Sequence, residues 1–343
     1  MEAPGRRGRS DCHAWGAHPL YHLQTGIAGI RPAKTGYAAV TVAPQPGPLK
    51  FVKAVSPTPK GLVYLDLRFD DGKAFGTVVL PPGLSGEFVW NGERTPLRPG
   101  MNEFFDPTLA EKGIPRAAVP QTAQGLFHSW DPGPNWWALR HEAKIREAAS
   151  HGGEIDLVFL GDSITHNWEG ARGPGSAYGG KQLAAFREKY SVLCLGYGGD
   201  DTRNVLWRIE NGELDGYRAK CVMLMVGTNN EGDAPEDTAK GIRRILDVIA
   251  EKQPGAKVLL VSIFPRGQTP DDKYRKLNER VNAIIRGFAD GERVIWCDFG
   301  KRYLEPDGTI TKETMPDFLH PRESGYAIWA EEVAPHFRRI IGR

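Results

Sequence analysis

The chain has 343 residues, 40% of them hydrophobic and 25% charged, which is the composition of a soluble globular protein of about two domains and excludes wholesale disorder. Forty-four Lys plus Arg against 42 Asp plus Glu leave a net charge of +2, so no broad basic field exists to attract nucleic acid or an acidic membrane, and neither is an expected partner. Apolar runs such as Val222 to Val226 are far shorter than the roughly 18 residues needed to span a bilayer.

The first ten residues, MEAPGRRGRS, are charged but run into no apolar stretch, so no secretory signal is read and a cytoplasmic location is expected, unless the start is truncated. Farther on, Val63, Leu65, Leu67 and Phe69 alternate with Tyr64, Asp66, Arg68 and Asp70, the period of a half-buried strand. Asp71-Gly72 then supplies a hairpin turn. Runs at Gly76 to Leu80 and Phe88 to Trp90 stop at Pro81-Pro82-Gly83 and Asn91-Gly92, a texture that predicts an antiparallel β-sandwich over about 1–112. A linker and packing helix are expected over about 113–150, the helix from Asn135 to Ala149.

From about 151 to 343 the rhythm changes. Ile155 to Leu160, Ser191 to Leu195, Cys221 to Val226, Lys257 to Ile263 and Arg293 to Cys297 read as buried parallel strands. Helical stripes separate them, among them Ile242, Ile245, Leu246 and Ile249, then Leu277, Val281, Ile284 and Phe288, with a closing helix through Tyr326, Val333 and Phe337. Strict alternation predicts an α/β domain with a parallel sheet covered on both faces, its ligands at the strands' carboxyl ends. Cys194, Cys221 and Cys297 fall in the strands and Cys12 stands apart, so buried free thiols are expected. No Cys, His and carboxylate cluster has metal-ligand spacing, and neither a metal nor another cofactor is expected.

Each of those strand ends offers something polar. Gly161-Asp162-Ser163 follows the first strand of this half, Gly198-Gly199-Asp200 the second and Gly227-Thr228-Asn229 the third, while Asp317-Phe318-Leu319-His320 precedes the last helix. A serine hydrolase needs a nucleophile, a base, a group that orients the base, and donors for the developing oxyanion. All have candidates here, although a lone Ser after Gly-Asp also reads as a helix N-cap. Asp162 and Asp200 read as capping or loop-bracing groups, Arg208 as a structural ion-pair partner, and His166 as a weak rival base. Trp168, Phe318 and Leu319 are candidates for lining an acyl pocket, with core packing the plainer alternative.

These four ordered blocks resemble the SGNH (GDSL) hydrolase superfamily, and within it the catalytic subunits of intracellular platelet-activating-factor acetylhydrolase and their bacterial relatives. The resemblance implies a flavodoxin-like three-layer α/β/α domain. It also implies Ser163 as nucleophile, His320 as base, Asp317 as its orienting carboxylate, and an oxyanion hole of the Ser163 and Gly199 N–H groups with the Asn229 side-chain amide. From about Ser10 to Phe104 the chain resembles the C-terminal end of bacterial α-L-rhamnosidases, without that family's acidic catalytic motifs; His13, Trp15 and His18 read as a substrate-facing cluster there, with packing the favoured alternative in the absence of the barrel. The expected function is hydrolysis of short acyl esters, acetyl above all and carbohydrate-linked by association with the N-terminal resemblance. The alternatives are a lysophospholipase or thioesterase, or a carbohydrate-binding protein with a vestigial esterase domain. An acyl ester of a small molecule or oligosaccharide is the expected partner, and homo-oligomer formation is left open.

Overall fold

A computed structural model describes residues 14–123, 136–170 and 178–342. It divides into two compact units, one within Met1–Pro107 and Ala123–Trp137, the other within Thr108–Thr122 and Ala138–Arg343.

The first unit begins with helix α1 (Ala14–His22) and continues through eight strands, β1 (Ile30–Pro32), β2 (Ala39–Val42), β3 (Phe51–Thr58), β4 (Gly61–Asp70), β5 (Lys73–Leu80), β6 (Ser85–Trp90), β7 (Glu93–Leu97) and β8 (Gly100–Phe104). They form two sheets, ordered β1-β2-β6-β7 and β3-β4-β5-β8. The alternation read in β4 holds in its second half, where Leu67 and Phe69 are buried and Arg68 and Asp70 exposed, but Val63, Tyr64 and Leu65 are buried in succession and Asp66 is half-buried, so Tyr64 does not face solvent as the pattern predicts. Val63, Leu65, Leu67 and Phe69 share one core with Val40, Val42 and Phe88 of the other sheet. Asp71 and Asn91 take left-handed φ values of 44° and 50°, each followed by a positive-φ glycine, as a type I′ hairpin requires. One pairing departs from an all-antiparallel sandwich, because β2 and β6 run parallel. The chain leaves β2, builds β3 to β5 in the opposite sheet and returns in the same sense, a crossover that strand periodicity does not encode.

The second unit holds β9 (Glu154–Gly161), β10 (Val192–Gly196), β11 (Arg218–Met225), β12 (Lys257–Val261) and β13 (Val294–Cys297) in a parallel sheet of order β10-β9-β11-β12-β13. After α2 (Pro107–Glu111), its helices are α3 (Trp136–Ser150), α4 (Ser163–His166), α5 (Gly180–Arg187), α6 (Thr202–Arg208), α7 (Pro235–Lys252), α8 (Lys273–Ile285) and α9 (Glu323–Ile341). Alternate residues of each strand serve different layers. Val158, Leu160, Val222 and Leu224 pack with Val205 of α6, Ile242 of α7 and Val281 of α8, whereas Leu157, Phe159, Met223 and Met225 pack with Phe186 of α5 and Trp329 and Phe337 of α9. Helices cover both faces, the arrangement expected of three layers.

Within segment 113–150, residues up to Thr122 and from Ala138 onward belong to the α/β unit, helix α3 spans Trp136–Ser150, and 124–135 lie outside the described residues. Cys194, Cys221 and Cys297 are free and buried, and burial pushes each thiol up to about 12. Cys12 and His13 fall outside the described residues, as does the side chain of Trp15; His18 is exposed and its ring lies 4.4 Å from that of His22.

Candidate active site

Sheet order fixes where the chemistry stands. The chain passes from β9 to β10 on one side and then back across to β11 on the other, so the loops after these three strands meet above the end of β9.

Asp162 caps α4 by accepting a hydrogen bond from the Ile164 N–H at 2.9 Å, which makes Ser163 the first helical residue. An N–H at that position has no acceptor within its own helix. Gly199, exposed with φ +80°, turns the loop after β10 through a conformation that an L side chain resists. Asn229, after β11, donates from Nδ2 to the Asp200 carbonyl at 2.8 Å. A side-chain amide has two N–H bonds, so a second donor remains on the same nitrogen.

The histidine arrives from the far end of the chain. Ser163 Oγ lies 2.8 Å from His320 Nε2, across 157 residues of sequence. His320 Nδ1 lies 2.7 Å from Asp317 Oδ2, so Nδ1 carries the ring proton and Nε2 accepts from the serine hydroxyl. Asp317 also accepts from the N–H groups of Leu319 at 3.1 Å and His320 at 2.8 Å. Partial burial opposes its ionisation, but the His320 ring and backbone bonds outweigh that and hold the carboxyl well below the usual range. Phe318 between them adopts φ 56°, pinned by its N–H to Met315 and by its carbonyl, which accepts from the Gly267 N–H at 2.8 Å.

Residues 159–328 match the GDSL-like lipase/acylhydrolase family. Subunit alpha1 of platelet-activating factor acetylhydrolase IB from Pongo abelii is 37% identical over 196 residues, 56% of this chain and 78% of that protein. The chain belongs to the GDSL-like lipase/acylhydrolase family. It is a carboxylic ester hydrolase. Subunit alpha2 of the same enzyme from Rattus norvegicus is 32% identical, covering 62% of this chain and 85% of its own length. A solved GDSL-like lipase from Bacteroides thetaiotaomicron aligns with a TM-score of 0.47 at 16% identity, over 58% of this chain and 97% of its own. Residues 29–104 match the bacterial alpha-L-rhamnosidase C-terminal domain.

In this GDSL hydrolase two of the expected neighbours behave differently from the rest. Trp168 does not line a pocket, because it is fully buried among Phe159, Phe186, Tyr326 and Trp329, with ring centroids 5.0 to 5.9 Å away. Trp168 lies beyond the end of α4, in the 3-10 turn Asn167–Glu169, which places its ring in that aromatic cluster. Phe318 and Leu319 are partly buried, packed on the edge of the same aromatic layer. His166 is displaced as a base, since the Ser163 hydroxyl is engaged by His320; its ring tilts towards Tyr197, 6.5 Å between centroids.

Beneath the loops lies a charge network that sequence reading found only in part. Arg208, fully buried, donates to Asp200 Oδ2 at 2.8 Å, to Glu213, and to the Gly161 and Leu195 carbonyls, with its guanidinium 3.8 Å from the Tyr197 ring centre. Tyr197 donates to Glu213 at 2.5 Å and His141 Nδ1 lies 3.0 Å from the same carboxylate. Burial penalises a charged Glu213, yet Arg208 and His141 hold its carboxyl below the ordinary value. Arg208 and Asp200 stood out in the sequence; Glu213 and His141 carry no signal that distinguishes them from surface residues. Arg266, in the Pro265-Arg266-Gly267 block that shares the family resemblance, had no role assigned from sequence. Its Nη1 donates to the Thr228 carbonyl at 2.9 Å and to Glu231 at 2.8 Å, bracing the residue before Asn229.

Proposed function

We propose that the chain is a serine esterase for short acyl groups, acetyl foremost, carried on a sugar or oligosaccharide. The observation that bears this reading is the line from Ser163 Oγ through His320 to Asp317, with distances of 2.8 and 2.7 Å. Ser163 Oγ attacks the ester carbonyl carbon while its proton passes to His320 Nε2, and Asp317 stabilises the imidazolium that forms. The carbonyl oxygen becomes an oxyanion facing the Ser163 and Gly199 N–H groups and the Asn229 amide. His320 then protonates the leaving alcohol, and water repeats the sequence on the acyl-enzyme to release the acid and restore Ser163.

Three observations favour a small acyl group on a sugar. Tyr326 and Trp168 fill the volume under the nucleophile turn, the Tyr326 hydroxyl donating to the Ile164 carbonyl at 2.5 Å. The curated relatives bear the name acetylhydrolase. The chain also carries, at 29–104, a domain of the kind that closes bacterial α-L-rhamnosidases.

Hydrolysis of p-nitrophenyl acetate, butyrate and octanoate by the wild type and Ser163→Ala tests the reading. Acetate turnover that vanishes in the variant and falls steeply with chain length is expected; equal rates on octanoate would make it a lipid-ester hydrolase. Acetylated xylo- or rhamno-oligosaccharides are the natural second panel, with acetate release as the readout.

A further inference from the structure

The stretch that follows α2 does more than connect. Residues Arg116–Ala118 form a single 3-10 turn, with Ala117 fully buried, and the chain then runs along the first turn of α6. It bonds three successive residues there. Thr202 Oγ1 donates to the Ala117 carbonyl at 2.8 Å, Gln121 N donates to the Arg203 carbonyl at 3.0 Å, and Asn204 Nδ2 donates to the Gln121 carbonyl at 2.9 Å. This turn begins two residues after Asp200 and is closed by a capping box between Asp201 and Asn204.

Thr202 faces a second loop as well. Its N–H donates to Asn230 Oδ1 at 3.2 Å and its hydroxyl accepts from Asn230 Nδ2 at 2.9 Å. With Asn229 bonded to the Asp200 carbonyl, the loops after β10 and β11 are therefore joined at two points, two residues apart on one side and one on the other. The Thr202 hydroxyl spends its proton on Ala117 and a lone pair on Asn230, so the strap decides which way that hydroxyl points.

The packing around this hydroxyl leaves no slack. At Gly241 in α7, an added Cβ would stand 2.4 Å from the Ala117 carbonyl oxygen and 2.7 Å from Thr202 Oγ1. Glycine inside a helix costs roughly 1 kcal/mol relative to alanine. Close approach of strap and helix is the reason for it here.

We propose that Thr202 is a positioning residue for ester hydrolysis: gripped by the 116–122 strap, it holds the Gly199 and Asn229 donors at their working separation. The inference rests on the serine-esterase reading above and adds to it the part of the enzyme that sets the oxyanion geometry. Misplacing a catalytic group by about 1 Å can cost on the order of a hundredfold in rate.

The test uses the full chain, p-nitrophenyl acetate, and kcat normalised to active sites by the burst of nitrophenol, so that partly unfolded protein does not count. Thr202→Val, which keeps the β-branched shape and loses the hydroxyl, is expected to lower kcat roughly 10- to 100-fold with KM changed less than about threefold, whereas Thr202→Ser recovers most of the rate. In an Asn229→Ala background the same Thr202→Val change should cost severalfold less kcat than it does in the wild type, because one of the two donors whose separation it sets is gone. Gly241→Ala, which removes no hydrogen-bonding group and wedges the strap away, should reproduce the kcat loss. Normal kcat in Thr202→Val, or an equal loss with and without Asn229, overturns the inference. Undiminished turnover in Ser163→Ala would instead overturn the reading beneath it.

Discussion

Asn229 Nδ2 donates to the Asp200 carbonyl at 2.8 Å, which joins the loop after β11 to the residue that follows Gly199. One N–H of the amide is thereby spent on orientation, and the direction of the other is set by the neighbouring loop. Losing one oxyanion donor typically costs a hundred- to a thousandfold in turnover, about 3 to 4 kcal/mol. Asn229→Ala is expected to lose about that much kcat with a melting temperature near the wild type's, as the residue is only partly buried. Near-normal turnover removes Asn229 from the reaction.

Asp317→Asn isolates the carboxylate's electrostatic part. The amide oxygen can still accept from the Leu319 and His320 N–H groups, but its NH2 cannot accept from His320 Nδ1, so the ring is driven to the tautomer that cannot take the serine proton. A kcat loss on the order of a hundredfold to ten-thousandfold is expected. Full activity would mean that a backbone group orients the histidine instead.

Asp162 supplies a pH signature of stability. Burial, joined by the negative charge of Asp200, raises its carboxyl to about 7 against the pull of the Ile164 N–H. Because the folded state favours the proton more than the unfolded state does, the stabilisation is complete below the ordinary value of 3.8 and is lost as pH rises through about 7. Asp162→Asn keeps an oxygen to cap Ile164 and cannot ionise. Its melting temperature should therefore fall less than the wild type's between pH 5 and pH 8, measured in buffers of equal ionic strength; parallel profiles would show that Asp162 does not titrate in this range.

Arg208 sits between Asp200 and Glu213 with no exposed surface. Removing one partner of a buried ion pair leaves an uncompensated charge, at a cost of about 3 to 5 kcal/mol. Arg208→Met should show that loss as a lower urea midpoint at unchanged slope. Arg218→Met is the control. Arg218 pairs with Glu154 at 3.0 Å but is 84% exposed, and its removal should change stability by no more than about 0.5 kcal/mol. Similar losses for both would show that the buried network is not acting as a unit.

The period-two pattern of Val63 to Phe69 and the apolar runs at Ile155, Cys221 and Lys257 were legible because each strand's burial is written into a window of a few residues. The same window cannot say that β2 lies parallel to β6, since that depends on which sheet the intervening strands join. Trp168 shows the limit inside the site. An aromatic five residues after Ser163 can line a pocket or, more plainly, pack in a core, and the surrounding Phe159, Phe186 and Trp329 rings decide for the core.

What the sequence by itself determined is the chemistry of each strand end, a hydroxyl, a flexible N–H, an amide and an acid three residues before a histidine, along with the parallel sheet that presents them. What only the tertiary structure decided is distance and direction: that Ser163 meets His320 rather than His166, that Arg208 answers Glu213, and that a turn at Ala117 grips Thr202. The reason is that residue type and periodicity are local, whereas a hydrogen bond across 157 or 85 residues exists only once strand order and helix packing have brought its two ends within 3 Å.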